Sequence, residues 1–288
     1  MTIIENDFYK IAIRAQGAEL TSFYDKTTGT ERLWQADANV WPWHAPNLFP
    51  IVGALNHGQL LVDGKSYPME RHGFNRQREL LLLSSDAQSA KFSLPYCEKT
   101  LAIYPYKFDF QVHYDLIDAA LRVTYKVINL DKKDIYFSVG GHPGFNVPFN
   151  KGEQYEDYYL EFETEEKLHT HLLSPDGVFT GETKLVPMKG NKLPLTRDLF
   201  VNDALVFKNM QSRMVTIKST KHDQSLSVEF PHFNYVGIWA KTGADFVCIE
   251  PWLGCADTAG REVDISQKEG VQKLKMGHVF EAAFFISL

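Results

Sequence analysis

Along much of the chain, apolar and polar residues alternate one by one. Phe108, Phe110, Val112 and Tyr114 are interleaved with Asp109, Gln111 and His113, and Leu121, Val123, Tyr125 and Val127 with Arg122, Thr124 and Lys126. Successive side chains of a strand point to opposite faces, so a period of two predicts strands with one buried and one wetted face. Further strand-like runs cover 8–14, 79–83, 135–139, 158–163, 214–218, 226–230, 235–240, 246–250 and 279–288. Asp63-Gly64 between two short strand-like runs predicts a tight hairpin. Thr28-Gly29 and Asp176-Gly177 read as turns in the same way.

No stretch keeps a helical period over a dozen residues, and no repeat of about 20–50 residues is present. No Pro/Gly/Ser-rich linker divides the chain, and the polar stretch 150–157 reads as a loop. The expectation is an all-β fold: a large antiparallel β-sandwich forming a single domain over residues 1–288.

Composition agrees with that reading. Of 288 residues, 44% are hydrophobic and 13% aromatic, with 20 Phe and 13 Tyr, residues that suit pleated, half-buried surfaces. A net charge of −6 argues against nucleic acid as a partner, since phosphate binding wants a basic face. No apolar run approaches the roughly 18 residues of a membrane span, and the N-terminus lacks the pattern of a signal peptide. The three cysteines, Cys97, Cys248 and Cys255, form no CxxC pair and point to a reducing, cytoplasmic setting, with each thiol a small buried hydrophobe.

HExxH, GxSxG, Walker A and GxGxxG signatures are all absent. What remains is a set of polar residues at expected strand ends. Glu250 closes the run 246–250, where Pro251 is expected to stop ladder pairing. Alternation puts Phe246, Cys248 and Glu250 on one face, so the carboxyl would lose hydration and become a better base near neutral pH. The alternative for Glu250 is a rim salt bridge. His142, framed by Gly140-Gly141 and Pro143-Gly144, sits where the backbone must take an unusual path into a cleft. The segment Arg71-His72-Gly73-Phe74-Asn75-Arg76-Gln77-Arg78 is either an anion or hydroxyl binder or a solvated turn. Asp203 reads as turn chemistry or as an acceptor for hydroxyls, and Trp41, Trp43 and His44 as core or a stacking wall. His169 and His171 share a strand face, but no histidine spacing specifies a metal site, so neither a metal nor another cofactor is expected.

Several segments together, in order along nearly the whole chain, resemble the aldose 1-epimerase (galactose mutarotase) superfamily and its divergent LacX-type bacterial branch. They are Gly17-Ala18-Glu19-Leu20 with the 28–34 segment, His72-Gly73-Phe74, Gly141–Asn146, and Val247–Trp252. The resemblance implies a large β-sandwich that interconverts the α and β anomers of a hexose. It makes Glu250 the general base, His142 the general acid and His72 a substrate-orienting group. Arg76, Asp203 and Trp252 would bind the sugar, with Asn202 an alternative register for the aspartate. The family's arginine before the first histidine motif is missing from 47–56, and Arg76 would stand in for it. Acid and base are expected at opposite edges of one pyranose, held as an ion pair across the cleft.

Two rivals remain open at this level. One is a hexose-6-phosphate 1-epimerase with Arg71, Arg76 and Arg78 as a phosphate clamp. The other is a sugar-binding module without catalysis on the same sandwich. A glycoside hydrolase would need two flanking carboxylates, for which Asp203 and Glu250 are the available pair.

Overall fold

The computed structural model describes all 288 residues. It is a large antiparallel β-sandwich built from a nine-stranded and a six-stranded sheet. A four-stranded sheet from the N-terminal 31 residues and three two-stranded ribbons complete it. The one α-helix, Glu98–Leu101, is a single turn, and no helix is long and apolar enough to cross a membrane.

The nine-stranded sheet is where alternation is clearest. Phe108–Ile117 pairs with Ala120–Asn129 over ten residues, and Val279–Ser287 continues the sheet beside it. Phe108, Phe110, Val112, Tyr114, Leu121, Val123, Tyr125 and Val127 are all buried on the inner face. The expected hairpin at Asp63-Gly64 is present, joining Gln59–Val62 to Lys65–Pro68, with both turn residues at positive φ (50° and 74°), as a type I′ turn requires. Two expected runs differ. The 79–83 run shifts to Leu81–Ser85, an exposed edge strand. The 135–139 run splits into Ile135–Phe137 and Val139–Gly141, which belong to different sheets.

The six-stranded sheet is covered on both faces. Its strand order is Leu205–Lys208, Tyr235–Trp239, Phe246–Leu253, Val139–Gly141, Asn47–Leu48, with Gly144–Asn146 also on Phe246–Leu253. All eight residues of Phe246–Leu253 are buried. The strand does not end at Glu250: Pro251 lies opposite Val236 and Trp252 opposite both Tyr235 and Gly140, which corrects the expectation that Pro251 terminates pairing. Proline is tolerated because the ladder from 139–141 to 144–146 is interrupted there, so no partner carbonyl is left waiting.

Asn47 ties the two sheets together. Its amide donates to the Gly17 and Ala18 carbonyls (3.0 and 2.9 Å) and approaches the Tyr114 hydroxyl at 3.1 Å, while its oxygen accepts from the Tyr125 hydroxyl at 2.8 Å. Both tyrosines come from the nine-stranded sheet. Next to it Gly141 allows close approach: a Cβ there would meet Phe284 and the Tyr125 hydroxyl at 3.0 Å. On the opposite, outer face of the smaller sheet, glycines clear room for an indole. A Cβ on Gly140 would lie 2.6 Å from Trp252, and one on Gly237 2.4 Å.

Replacing Asn47 by Ala strands the Tyr125 hydroxyl and removes the inter-sheet bonds, so urea unfolding should show a loss of about 3 kcal/mol with unchanged m-value. Gly237→Ala drives a methyl group into Trp252 and should cost about 1–3 kcal/mol by the same measurement, with an altered tryptophan emission that Asn47→Ala does not produce.

Candidate active site

Register brings the first two candidate residues together. The ladders on either side of His142-Pro143 share one register against Phe246–Leu253, pairing Gly140 with Trp252 and Gly144 with Cys248. His142 is therefore directly opposite Glu250, on the outer face of the smaller sheet. Its backbone N–H donates to the Pro46 carbonyl (3.1 Å), which holds the step in place from the other side. His142 Nε2 lies 3.1 Å from Glu250 Oε2. The approach is off the axis of a hydrogen bond. His142 Nδ1 and Glu250 Oε2 are both buried without hydrogen-bond partners, and so is Trp252 Nε1.

These residues line a cavity of about 200 Å³. That is below the roughly 300–1,000 Å³ of sites for larger ligands and suits one small molecule. Trp41, Trp239 and Trp252 supply apolar walls, and His72, Arg71, Arg76 and Asp203 supply polar ones. Phe179 and Gly177, from the Phe179–Leu185 strand and the turn before it, close the outer side.

Burial dominates the electrostatics. It pushes the Glu250 carboxyl well above the usual carboxylate range; Arg71 opposes this and Asp203 reinforces it. Burial also lowers His142 to about 3, with the charges of Arg71 and Arg76 acting the same way. Both directions favour a carboxylic acid beside a neutral imidazole over two charged groups. These directions run against the standing ion pair expected from sequence: in a space this dry, two separate charges lose more hydration than their attraction returns.

His72 is fixed more tightly. Its Nδ1 accepts from the Gly53 N–H (3.1 Å), and its backbone N–H donates to the Gly53 carbonyl (2.9 Å). Nδ1 is therefore unprotonated, and burial keeps His72 neutral, leaving Nε2–H as a donor. The local backbone is forced into this shape. His72 has φ 69°, and a Cβ on Gly73 would sit 2.2 Å from the Phe49 carbonyl oxygen.

The arginine segment divides. Arg71 reaches Asp203 (3.5 Å) at the mouth of the cavity. Arg76 lines the cavity and places its guanidinium over Trp43 (5.2 Å). Arg78 instead lies over Phe74 (5.8 Å) and is not a lining residue, so the three-arginine clamp is corrected to two. Asp203 lines the cavity and Asn202 does not. His169 and His171 lie on the Leu173 strand and join no cluster with the other histidines.

Of the two readings left open for Trp41, the stacking wall fits: at the edge of the core it stacks on His142 (centroids 4.9 Å, 30°) and on Phe246 (5.4 Å). Sequence reasoning passed over a second wall. Trp239 meets His142 edge-on at 5.9 Å. The signal for Trp239 was its two-residue spacing from Gly237, which puts both on the face that carries Glu250. Cys248 is a further omission: its sulfur and donor atoms of His142 and Glu250 lie within 4.8 Å of one another.

Comparison with known proteins agrees with this architecture. The family model for aldose 1-epimerase matches residues 1–271. Protein LacX (plasmid) of Lactococcus lactis subsp. lactis is 33% identical over 284 residues, covering 95% of both chains. A solved galactose mutarotase related enzyme from Lactobacillus acidophilus shares 34% identity over 99% of this chain and 96% of its own, with a TM-score of 0.94. A galactose mutarotase-like protein from Lactobacillus casei shares 33% identity over 100% and 99% of the two chains, also at 0.94. With a match of that length and relatives that similar, the chain belongs to the aldose 1-epimerase family.

Proposed function

We propose that the whole chain, residues 1–288, works as an aldose 1-epimerase on a free hexose, with Glu250 as general base and His142 as general acid. The observation that carries this reading is the buried Glu250–His142 pair, 3.1 Å apart and with unpartnered polar atoms, at the wall of one small, tryptophan-lined cavity. Anomer exchange needs a proton taken from the anomeric hydroxyl and one given to the ring oxygen. Both oxygens are bonded to the same carbon, so the groups that serve them belong close together rather than at opposite edges of the sugar. A pair 3.1 Å apart, parted slightly by the incoming ring, suits that demand.

The proton first passes from Glu250 to His142. The carboxylate then takes the hydroxyl proton as the imidazolium gives its own to the ring oxygen. The C1–ring oxygen bond breaks, leaving an aldehyde, and the pair returns to its uncharged form. Rotation about C1–C2 and the reverse transfers close the ring on the other face. The pair carries one proton throughout, so no net proton enters or leaves. His72 Nε2–H and the Arg76 and Asp203 side chains hold hydroxyls, and Trp252 covers an apolar sugar face. Arg76 reaches the cavity from another segment than the one that carries the family's arginine, and so compensates for its absence at 47–56. Three free cysteines suit a cytoplasmic setting.

The phosphorylated-hexose reading keeps some support from Arg71, which is half-exposed at the mouth beside Asp203. Two guanidiniums, one already engaged by a carboxylate, make a weaker anion site than three free ones, so the free sugar is the better reading. Rates with galactose and with glucose 6-phosphate, measured side by side, decide between them. A protein that binds sugar saturably without accelerating anomer exchange would leave only a binding module.

By polarimetry, Glu250→Gln and His142→Asn should each lose about 10²–10⁴-fold in catalysed mutarotation while unfolding normally in urea. Full activity in either variant overturns the role given to that residue. The pH profile carries a separate expectation. The active form holds one proton on the pair, so activity falls in acid only when a second proton binds, near the lowered His142 value of about 3, and in alkali only above the raised Glu250 value. kcat/KM should therefore stay level on acidification through pH 6.5, and a drop centred there would contradict the assignment of an uncharged resting pair.

A further inference from the structure

We propose that His142, Cys248 and Glu250 form a divalent-metal site that takes a borderline-soft cation of the Zn²⁺ class through imidazole, thiolate and carboxylate. All three residues are buried, and one donor atom from each lies within 4.8 Å of the other two. The sheet register builds the cluster. Cys248 and Glu250 are two apart on one strand and share its outer face, and His142 is opposite Glu250 and so diagonal to Cys248. The residue opposite Cys248 is Gly144, and the space its missing side chain leaves is taken by the Trp41 ring; a Cβ there would lie 2.9 Å from Trp41 and 3.4 Å from the Cys248 sulfur.

Two further observations point to a ligand. His142 Nδ1 and Glu250 Oε2 are buried without hydrogen-bond partners, an arrangement that costs free energy until something occupies it. Two of the three ligands, His142 and Glu250, line the cavity while Cys248 lies behind them, so the side facing the cavity offers a fourth position to water, as in open three-ligand zinc sites. Nitrogen, sulfur and oxygen donors together select Zn²⁺ or Co²⁺ over the hard Mg²⁺ and Ca²⁺. Metal–donor bonds of roughly 2.0–2.3 Å require the three side chains to draw in by on the order of 1 Å, a rotamer-scale movement. On binding, the thiol S–H bond breaks, its proton leaves to solvent, and a metal–sulfur bond forms with no change of oxidation state.

The metal takes the lone pairs that the acid–base pair needs, so metal occupancy and anomer exchange exclude each other. This last consequence rests on the function proposed above; the site itself does not. The site adds a cation-sensitive block to an enzyme whose proposed mechanism uses no metal.

Titration of the chelator-treated protein with Co²⁺ reads the site directly. The expected result is a near-ultraviolet thiolate-to-cobalt band saturating at one equivalent. Cys248→Ser should abolish the band, and Glu250→Gln should weaken Co²⁺ binding by about 100-fold or more. Cys97→Ser, which removes the exposed thiol, should keep the band. A wild-type protein with no such band, or a Cys248→Ser protein that unfolds normally in urea and keeps it, overturns the proposal. Should the serine variant fail to fold, the Glu250→Gln titration still decides. Zn²⁺ should inhibit mutarotation and a chelator restore it. A cobalt band in a protein that never catalyses mutarotation would sink the proposed activity and leave the metal site. Mutarotation without any band would do the reverse.

Discussion

A carboxyl group and an imidazole 3.1 Å apart, shut away from water, cannot hold their charges independently. That constraint organises the rest of this protein. Each group alone would be an expensive thing to bury. Together they are favoured as an uncharged unit, and in the proposed mechanism its two halves exchange roles by moving a hydrogen ion. The fold spends an entire sheet face on keeping that unit dry, and the glycines at 140, 144 and 237 clear the space around it.

The placement follows from a sheet covered on both sides. The inner face of the smaller sheet packs on the larger one through Asn47, Gly141 and the tyrosine hydroxyls. The outer face carries His142, Cys248, Glu250 and Trp252, roofed by Phe179 and its neighbours. Because strand pairing sets which residues stand opposite one another, histidine and glutamate from distant segments meet without any loop having to find the other. The backbone bonds of Gly53 to both ends of His72 bring the second histidine to the same place by a different device, a positive-φ turn.

This double covering also explains what was legible in the sequence. Alternation revealed the larger sheet, since one of its faces is partly wetted: Arg122, Thr124 and Lys126 mark it as clearly as Leu121, Val123 and Tyr125 mark the core. Phe246–Leu253 carries no such contrast, because both its faces are buried, and Pro251 then looked like a terminator. His142 showed through its glycine–proline frame and Glu250 through its position in the resembling motif. Trp41 showed only as one of two readings and Trp239 not at all, since a tryptophan beside a core reads as core unless its partner is known. The nearness of Cys248 to His142 is a property of register, which no linear spacing displays.

The tryptophans shape the chemistry in two opposed ways. They exclude water, which favours the uncharged pair, yet the face of Trp41 lies against the His142 ring at 4.9 Å. A ring face attracts a cation, by roughly 0.5–2 kcal/mol depending on exposure. An imidazolium formed as proposed, when the proton leaves Glu250, would be met by an indole already in position, while Arg71 favours the carboxylate left behind. Neither contact suffices to hold the charges apart at rest, as the directions of both shifts show. In the proposed mechanism they lower the cost of a charge separation that lasts only until the sugar ring opens. A polar or solvated pocket would hold the ion pair permanently and remove the gain on returning to the uncharged form. A wall without aromatic faces would leave the charged form too costly to reach. The site lies between those limits because its walls are apolar in substance and electrostatically attractive to a cation on one side.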